Sequence, residues 1–390
     1  MHTKYQLILI GADHSLKPHI SSTFIARVNE LGIAETSITI LDENNFTAQY
    51  KKNCPTVALY FGTTASFPNE DTVTELIADA AFILPVVSDL KQVSDLLPEK
   101  LRILNAFEFG GIDKTESLVA RIMEALSLLR AARRLFISYR RVESRSVAIQ
   151  LYEYLDQCGF DVFLDTHSIR PGEPFQDELW HRLVDTDVVI LLDTPGFLKS
   201  EWTEQELAKA SAMSIGVFQI VWPDHFQEPY STLCFPLYLK KSNFELLDFK
   251  SASAHLSNNT LSLIGSEVES LRARSLAARQ DNLIQEFTST AKALKIISHL
   301  QPEKFITMIR SSNGEEISII PTVGVPQAFN YNQSEELIKR IRANKSTVVY
   351  LLYDHRNIMV KWQTHLTWLD KHLPVKALKI TEIESWMKTL

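Results

Sequence analysis

Trp202 and Glu206 stand four residues apart in Ser200-Glu201-Trp202-Thr203-Glu204-Gln205-Glu206-Leu207, so a helix there puts an indole and a carboxylate on one face. Such a pair suits a flat, cationic ring attached to a sugar. The indole stacks on the ring, and the carboxylate stabilises positive charge developing at the sugar carbon. The nicotinamide of NAD+ is a ring of this kind. It departs as a neutral molecule, so its loss requires neither a general acid for the leaving group nor a metal. The same residues also scan as ordinary helix chemistry. Thr203-Glu204-Gln205-Glu206 reads as a capping box, with Glu206 reaching back to the Thr203 amide, and Trp202 can pack the helix against a sheet. Spacing alone favours capping and packing. Arg140-Arg141 likewise reads more readily as a solvated strand end than as a phosphate clamp.

Other catalytic signatures are missing. The chain has no Gly-x-Gly-x-x-Gly, no Walker-type Gly-Lys-Ser/Thr loop, no His-Glu-x-x-His and no Gly-x-Ser-x-Gly elbow. With 12 glycines in 390 residues, a glycine-lined phosphate cradle is not expected. His14, His167 and His355 fall at strand ends and are expected to be surface or packing residues. Cys54, Cys158 and Cys234 are odd in number and widely spaced, which suits neither a disulfide framework nor a metal knuckle and fits a reducing cytoplasm. No metal site is expected. The longest apolar run, residues 80–87, is far short of the ~20 residues of a spanning helix, and the N-terminus lacks a signal-peptide layout. A cytoplasmic protein with no membrane partner is therefore expected. The net charge of -7 makes nucleic acid a poor default partner.

The elements that must position these residues follow from the hydropathy pattern. At ~100–200 residues per domain, 390 residues suggest several domains. Residues 1–130 alternate β-rich runs (6–10, 37–41, 56–61, 82–87, 101–106) with helical patterns (21–30, 72–78, 115–133), as in a parallel sheet covered by helices. A second α/β run over 133–225 reads strand 135–139, helix 144–158, strand 161–164, helix 175–184, strand 187–192, helix 201–212 and strand 216–221. Residues 226–262, rich in Ser, Asn and Pro, read as a connector. Over 263–390 a long helix (266–300) precedes a smaller α/β module, in which Asn313-Gly314 between two apolar runs signals a hairpin. In an open α/β sheet, ligands bind outside the carboxyl ends of the strands. Tyr139, Arg140, the loop 165–174 and the start of the 201–212 helix should meet at that edge.

Three segments together resemble a Toll/interleukin-1 receptor (TIR) domain. Phe136-Ile137-Ser138-Tyr139-Arg140 resembles the family's opening strand, and 159–165 followed by Ile169-Arg170-Pro171-Gly172 resembles its second strand and BB loop. Ser200-Glu201-Trp202-Thr203-Glu204-Gln205-Glu206-Leu207 resembles its Trp-Cys-x-x-Glu-Leu segment, with Thr203 where Cys is usual. The resemblance covers about 133–225. It implies a central flavodoxin-like domain with a five-stranded parallel sheet; the pattern of elements sets this between an N-terminal α/β domain, itself flavodoxin-like or TIR-like, and a smaller C-terminal α/β module. For the enzymatic branch it implies Glu206 as the catalytic residue for NAD+ cleavage. Tyr139, Arg140, Asp165, Gly172 and Trp202 would line the nucleotide pocket, with Trp222 nearby. It further implies nicotinamide with ADP-ribose or a cyclic isomer as products, no cofactor beyond NAD+ as substrate, self-association through TIR domains, and flanking domains that take an activating ligand or partner. The architecture resembles bacterial anti-phage effectors. A non-catalytic scaffold and a base-exchanging or cyclising synthase are the alternative readings.

Overall fold

The computed structural model of the protein describes residues 5–11, 16–52, 54–64, 67, 69–79, 81–164, 175–197, 204–227, 234–251, 253–301, 303–310, 314–341 and 347–390. They form two compact units, residues 1–132 with 258–274 and residues 133–257 with 275–390.

The first unit runs β1 (Tyr5–Ile10), α1 (Leu16–Glu30), β2 (Ile38–Asp42), α2 (Phe46–Gln49), β3 (Thr56–Phe61), α3 (Glu70–Ala78), β4 (Phe82–Val87), α4 (Val93–Leu96), β5 (Phe107–Glu108) and α5 (Thr115–Ala125). Its strands pair in parallel in the order β2-β1-β3-β4-β5, the flavodoxin order. β1 and β3 are buried along their whole length, which is why they read as unbroken apolar runs. The buried amide of Gln6 in β1 is satisfied. It donates to Lys51 O at 2.8 Å and Thr56 Oγ1 at 2.9 Å and accepts from Lys51 N at 2.9 Å. The strand expected at 101–106 does not form. Glu99–Leu101 is a 3-10 turn that drops Leu101 into the core, whereas Ile103 is 87% exposed. Those apolar residues serve two different surfaces, and the fifth strand shrinks to two residues.

The second unit holds two sheets. The central one comprises β6 (Arg134–Tyr139), α6 (Arg141–Gln157), β7 (Asp161–Leu164), α7 (Phe175–Asp185), β8 (Val188–Asp193), α8 (Glu204–Ala212), β9 (Gly216–Val221) and β10 (Phe235–Tyr238). Its order, β10-β9-β8-β6-β7, is the flavodoxin order again and all its pairs are parallel. β10 falls inside the stretch read above as connector. As an edge strand it is mostly exposed, and Pro236 within its apolar run is a residue that speaks against a strand in sequence. Residues beyond it fold back on α6, where the Gln150 side chain bonds both the N–H (2.7 Å) and the C=O (2.9 Å) of Leu256.

The long helix α9 (Asn258–Ala293) starts eight residues before the expected 266 and ends before 300. After it come β11 (Ser298–Leu300), β12 (Ile306–Ile309), β13 (Glu316–Pro321), α10 (Ala328–Ile341), β14 (Thr347–Tyr353), α11 (Val360–His372), β15 (Lys376–Lys379) and α12 (Ile383–Met387). β12 and β13 form the expected antiparallel hairpin, with Gly314 at φ 72°, whereas β13, β14 and β15 are parallel. α9 and α12 cover one face of this sheet through Leu283, Ile284, Phe287 and Met387. α10 and α11 cover the other through Tyr331, Ile338, Leu366 and Leu369.

In the first unit, α9 buries Arg272 completely. Its guanidinium pairs with Glu124 at 2.7 Å and donates to the carbonyls of Arg130 at 2.6 Å and Ala132 at 3.2 Å, holding the chain that leaves α5. Arg272→Met removes the buried partner of Glu124 and the donor to two carbonyls, so unfolding in urea should show a loss of about 3 kcal/mol. Adding Glu124→Gln should restore part of it. A loss below about 1 kcal/mol would mean that the pair is dispensable.

Candidate functional site

The crevice of a flavodoxin-order sheet opens where the chain reverses direction, here between the carboxyl ends of β6 and β8. Two segments flank it, Arg140 with the first turn of α6 after β6, and the loop 194–197 after β8. Tyr139 ends β6 with 1% exposure, and Arg140 follows in extended conformation as the N-cap of α6. The first turn of α6 is not regular. Ser144 adopts φ -140°, ψ 21°, and the amides of Glu143 and Ser144 both return to Arg140 O at 3.0 Å. That tight turn brings the Glu143 carboxylate alongside the Arg140 guanidinium, and the two form an ion pair. The pair is about one-third exposed, so the cation remains open to an anionic group.

Gly196 completes this arrangement from the β8 side. Its N–H donates to Glu143 Oε2 at 3.3 Å. A Cβ on Gly196 would overlap the Arg140 guanidinium, lying 2.7 Å from its Cζ and 2.9 Å from Glu143 Oε1. The loop that presents Gly196 is pinned by Phe197, which is fully buried and whose N–H returns to Thr194 O at 2.9 Å. The crevice thus holds a cation whose position depends on a carboxylate from α6 and on the missing side chain of a glycine.

A second polar group lies at the ends of β8 and β9. Asp193 is fully buried, accepting from Gln219 Nε2 at 2.7 Å and lying 3.1 Å from His225 Nε2. Gln227 Nε2 donates to Gln219 Oε1 at 2.7 Å, and Tyr238 OH donates to Gln227 Oε1 at 2.8 Å. This chain of bonds ties the segment after β9 and the edge strand β10 to the sheet. Burial, then the charge of Asp193, pushes the Cys234 thiol up to about 12, so that cysteine is chemically inert.

Trp222 is buried at 5% exposure. Its indole N–H donates to Phe249 O at 3.1 Å, its ring meets Phe244 edge-on at 5.2 Å, and its amide donates to Asp193 O at 2.9 Å. Glu206 is the third residue of α8; its side chain, and all of Asp165, Gly172 and Trp202, lie outside the described residues, as do His14 and His167. His355 follows β14 in the C-terminal sheet, where burial lowers its imidazole pKa. Among the described residues, no group of three or more His, Cys, Asp or Glu side chains could hold a metal ion, and no helix is long and apolar enough to cross a membrane.

Sequence reasoning missed Glu143, Gly196 and Asp193. A polar residue closing the apolar run of β8 was the available signal for Asp193. Glu143 and Gly196 are 53 residues apart and only the fold joins them.

Comparison with known proteins agrees with this topology. Residues 135–256 match the TIR domain family. The chain is 29% identical over 110 residues to a probable 2′ cyclic ADP-D-ribose synthase of Brachypodium distachyon, covering 27% of this chain and 49% of the relative. It is 26% identical over 88 residues to a 2′ cyclic ADP-D-ribose synthase of Bacteroides thetaiotaomicron, covering 23% and 31%. The chain therefore spans about half the length of the first relative and about a third of the second. Tagatose-6-phosphate ketose/aldose isomerase of Escherichia coli aligns over 73% of this chain and 83% of its own at 12% identity, but a TM-score of 0.20 carries no argument. Motif, strand order and family match coincide: residues 135–256 of this chain are a TIR domain.

Proposed function

We propose that the TIR domain breaks the bond between nicotinamide and ribose in NAD+. The observation that carries the reading is Glu206 in the Trp202-Thr203-Glu204-Gln205-Glu206-Leu207 segment of a TIR domain, at the start of the helix that follows the β8 loop. Bond cleavage develops positive charge on the sugar, so the main demand is for a fixed negative charge beside it. Glu206 supplies that charge and Trp202 stacks on the departing ring. Nicotinamide leaves neutral with the bonding electron pair, and no proton has to be delivered to it. Arg140 offers a cation to the diphosphate. Tyr139, Asp165, Gly172 and Trp222 complete the pocket in this reading.

The sugar cation is then captured either by water, giving ADP-ribose, or by a hydroxyl of the same molecule, giving a cyclic isomer. The similarity to two 2′ cyclic ADP-D-ribose synthases favours the cyclic product. In this reading the flanking modules bind a trigger or hold an assembly, and the protein acts in the cytoplasm as an effector of anti-phage defence. A TIR scaffold without turnover is the competing reading.

Incubating the protein with NAD+ and separating the products distinguishes these outcomes. Cyclic ADP-ribose supports the reading, plain ADP-ribose corrects its last step, and unchanged NAD+ under all conditions overturns it. Glu206→Gln should abolish NAD+ loss with a melting temperature close to that of the parent, while Glu204→Gln should behave like the parent. If Glu206 merely caps its helix, Glu206→Gln, which can still reach the Thr203 amide, should keep both stability and rate, and Glu206→Ala should cost about 1 kcal/mol of stability and keep its rate.

Gly196→Ala addresses the Arg140 cradle. The far end of a flexible side chain can move, so the protein should fold normally with the guanidinium displaced. KM for NAD+ should rise about tenfold, equivalent to ~1.4 kcal/mol, with kcat less affected. Equal KM values in Gly196→Ala and the parent would remove Arg140 from the binding site. Because TIR domains are read here as self-associating, specific activity should also rise with protein concentration; a flat profile over a wide dilution series would count against assembly.

A further inference from the structure

β13, β14 and β15 are parallel, and the loops leaving their carboxyl ends open into one cavity of about 280 Å³ within the second unit. Such an edge is where open α/β sheets take ligands. Thr322 and Gly324 follow β13, with Gly324 in the left-handed region at φ 86°. Asp354, Arg356 and Asn357 follow β14. The opposite wall is α9, with Asn282 and Glu286, and the end of α8, with Met213.

The charges in this cavity are balanced. Arg356 Nε lies 2.9 and 3.0 Å from the two oxygens of Asp354, and the pair is partly exposed. Glu286 adds a second carboxylate whose charge acts on Arg356. Arg279 spends its terminal nitrogens on the carbonyls of Val184 and Thr186. The cavity therefore presents charges of both signs without an excess of either. A phosphate ester would leave the cavity with a net negative charge and a polyamine with a net positive one, whereas a zwitterion leaves the balance unchanged. Around these charges the walls are apolar, formed by Val184, Leu283, Val323 and Ile380, and the amides of Asn282 and Asn357 stand between.

We propose that this cavity binds a free zwitterionic amino acid with an apolar side chain. Its carboxylate takes the guanidinium of Arg356, its ammonium takes Asp354 and Glu286, and its side chain takes the apolar walls. The volume suits a ligand of that size, near the lower limit of ~300 Å³ for small-molecule pockets. The site also touches the support of α8. Asn357 Nδ2 lies 3.5 Å from Met213 Sδ, and Asn282 Nδ2 donates to Ser214 Oγ at 3.0 Å. Occupancy therefore steadies the turn after the helix that bears Glu206, and the significance of that for turnover rests on the NAD+ reading above.

Calorimetric titration of the full chain with L-leucine and L-methionine tests the site whether or not NAD+ is cleaved. At least one should bind, while isocaproate and isoamylamine, which each lack one charge of leucine, should bind at least about tenfold more weakly. Arg356→Gln and Glu286→Gln should each weaken the amino acid about tenfold. Amide exchange at Gly216, whose N–H is held by Ser275 in that turn, should slow when the ligand is bound. No binding of either amino acid below about 10 mM, or isocaproate or AMP binding as tightly through Arg356, overturns the proposal. Unchanged exchange at Gly216 overturns its link to α8.

Discussion

Helix ends leave backbone carbonyls without partners, and in this protein α9 supplies the partners from outside. Arg272 bonds the carbonyls of Arg130 and Ala132 beyond α5, and Arg279 those of Val184 and Thr186 at the end of α7. Ser275 donates to Ser214 O at 2.7 Å and accepts from Gly216 N at 2.9 Å, closing the turn between α8 and β9. Ser214 holds φ 54° there, a backbone state that a non-glycine residue keeps only when its surroundings impose it. Guanidinium and hydroxyl groups that would be costly if buried alone become the fastening points of the fold. The same helix also contributes Leu283, Ile284 and Phe287 to the core under the C-terminal sheet. This mixture of buried polar and apolar residues hides the helix's function from a simple amphipathic reading.

What could be read from the sequence follows from where each element is buried. β1, β3, β8 and β9 are covered on both faces and so appear as apolar runs of the right length. The edge strands β5 and β10 pair on one side only; β5 is two residues long, and β10 is mostly exposed with Pro236 inside its apolar run. α10 escaped notice because its apolar residues, Tyr331 and Ile338 among them, are separated by long polar stretches. At the crevice the linear motifs pointed to Tyr139, Arg140 and the α8 segment. Glu143 and Gly196 act through tertiary proximity, and no local pattern marks a glycine whose value is the space it leaves for another chain segment.

The N-terminal and central sheets share one strand order, yet their carboxyl edges differ in chemistry. In the N-terminal sheet, Glu43 at the end of β2 accepts from Gly11 N and from Lys17 Nζ, both at 2.6 Å. Burial raises the Glu43 carboxyl, but the lysine and the amides outweigh it and hold the group below the usual range. That carboxylate is satisfied by its own unit. In the central sheet the equivalent edge offers Arg140, one-third exposed, over a glycine. Common topology sets where a site can form, and side chains at the strand ends decide what it can hold.

The fastening by Ser275 and Arg279 has a consequence for where the chain can be divided. The TIR match ends at residue 256, and a segment cut there would contain every strand of the central sheet. It would also lose the groups that bond Val184 O, Thr186 O, Ser214 O and Gly216 N, at the ends of the two helices on either side of β8. Water can replace those partners chemically but does not fix the angle at which a helix leaves the sheet. The boundary of sequence similarity and the boundary of mechanical independence are therefore different places, and the second lies beyond Arg279.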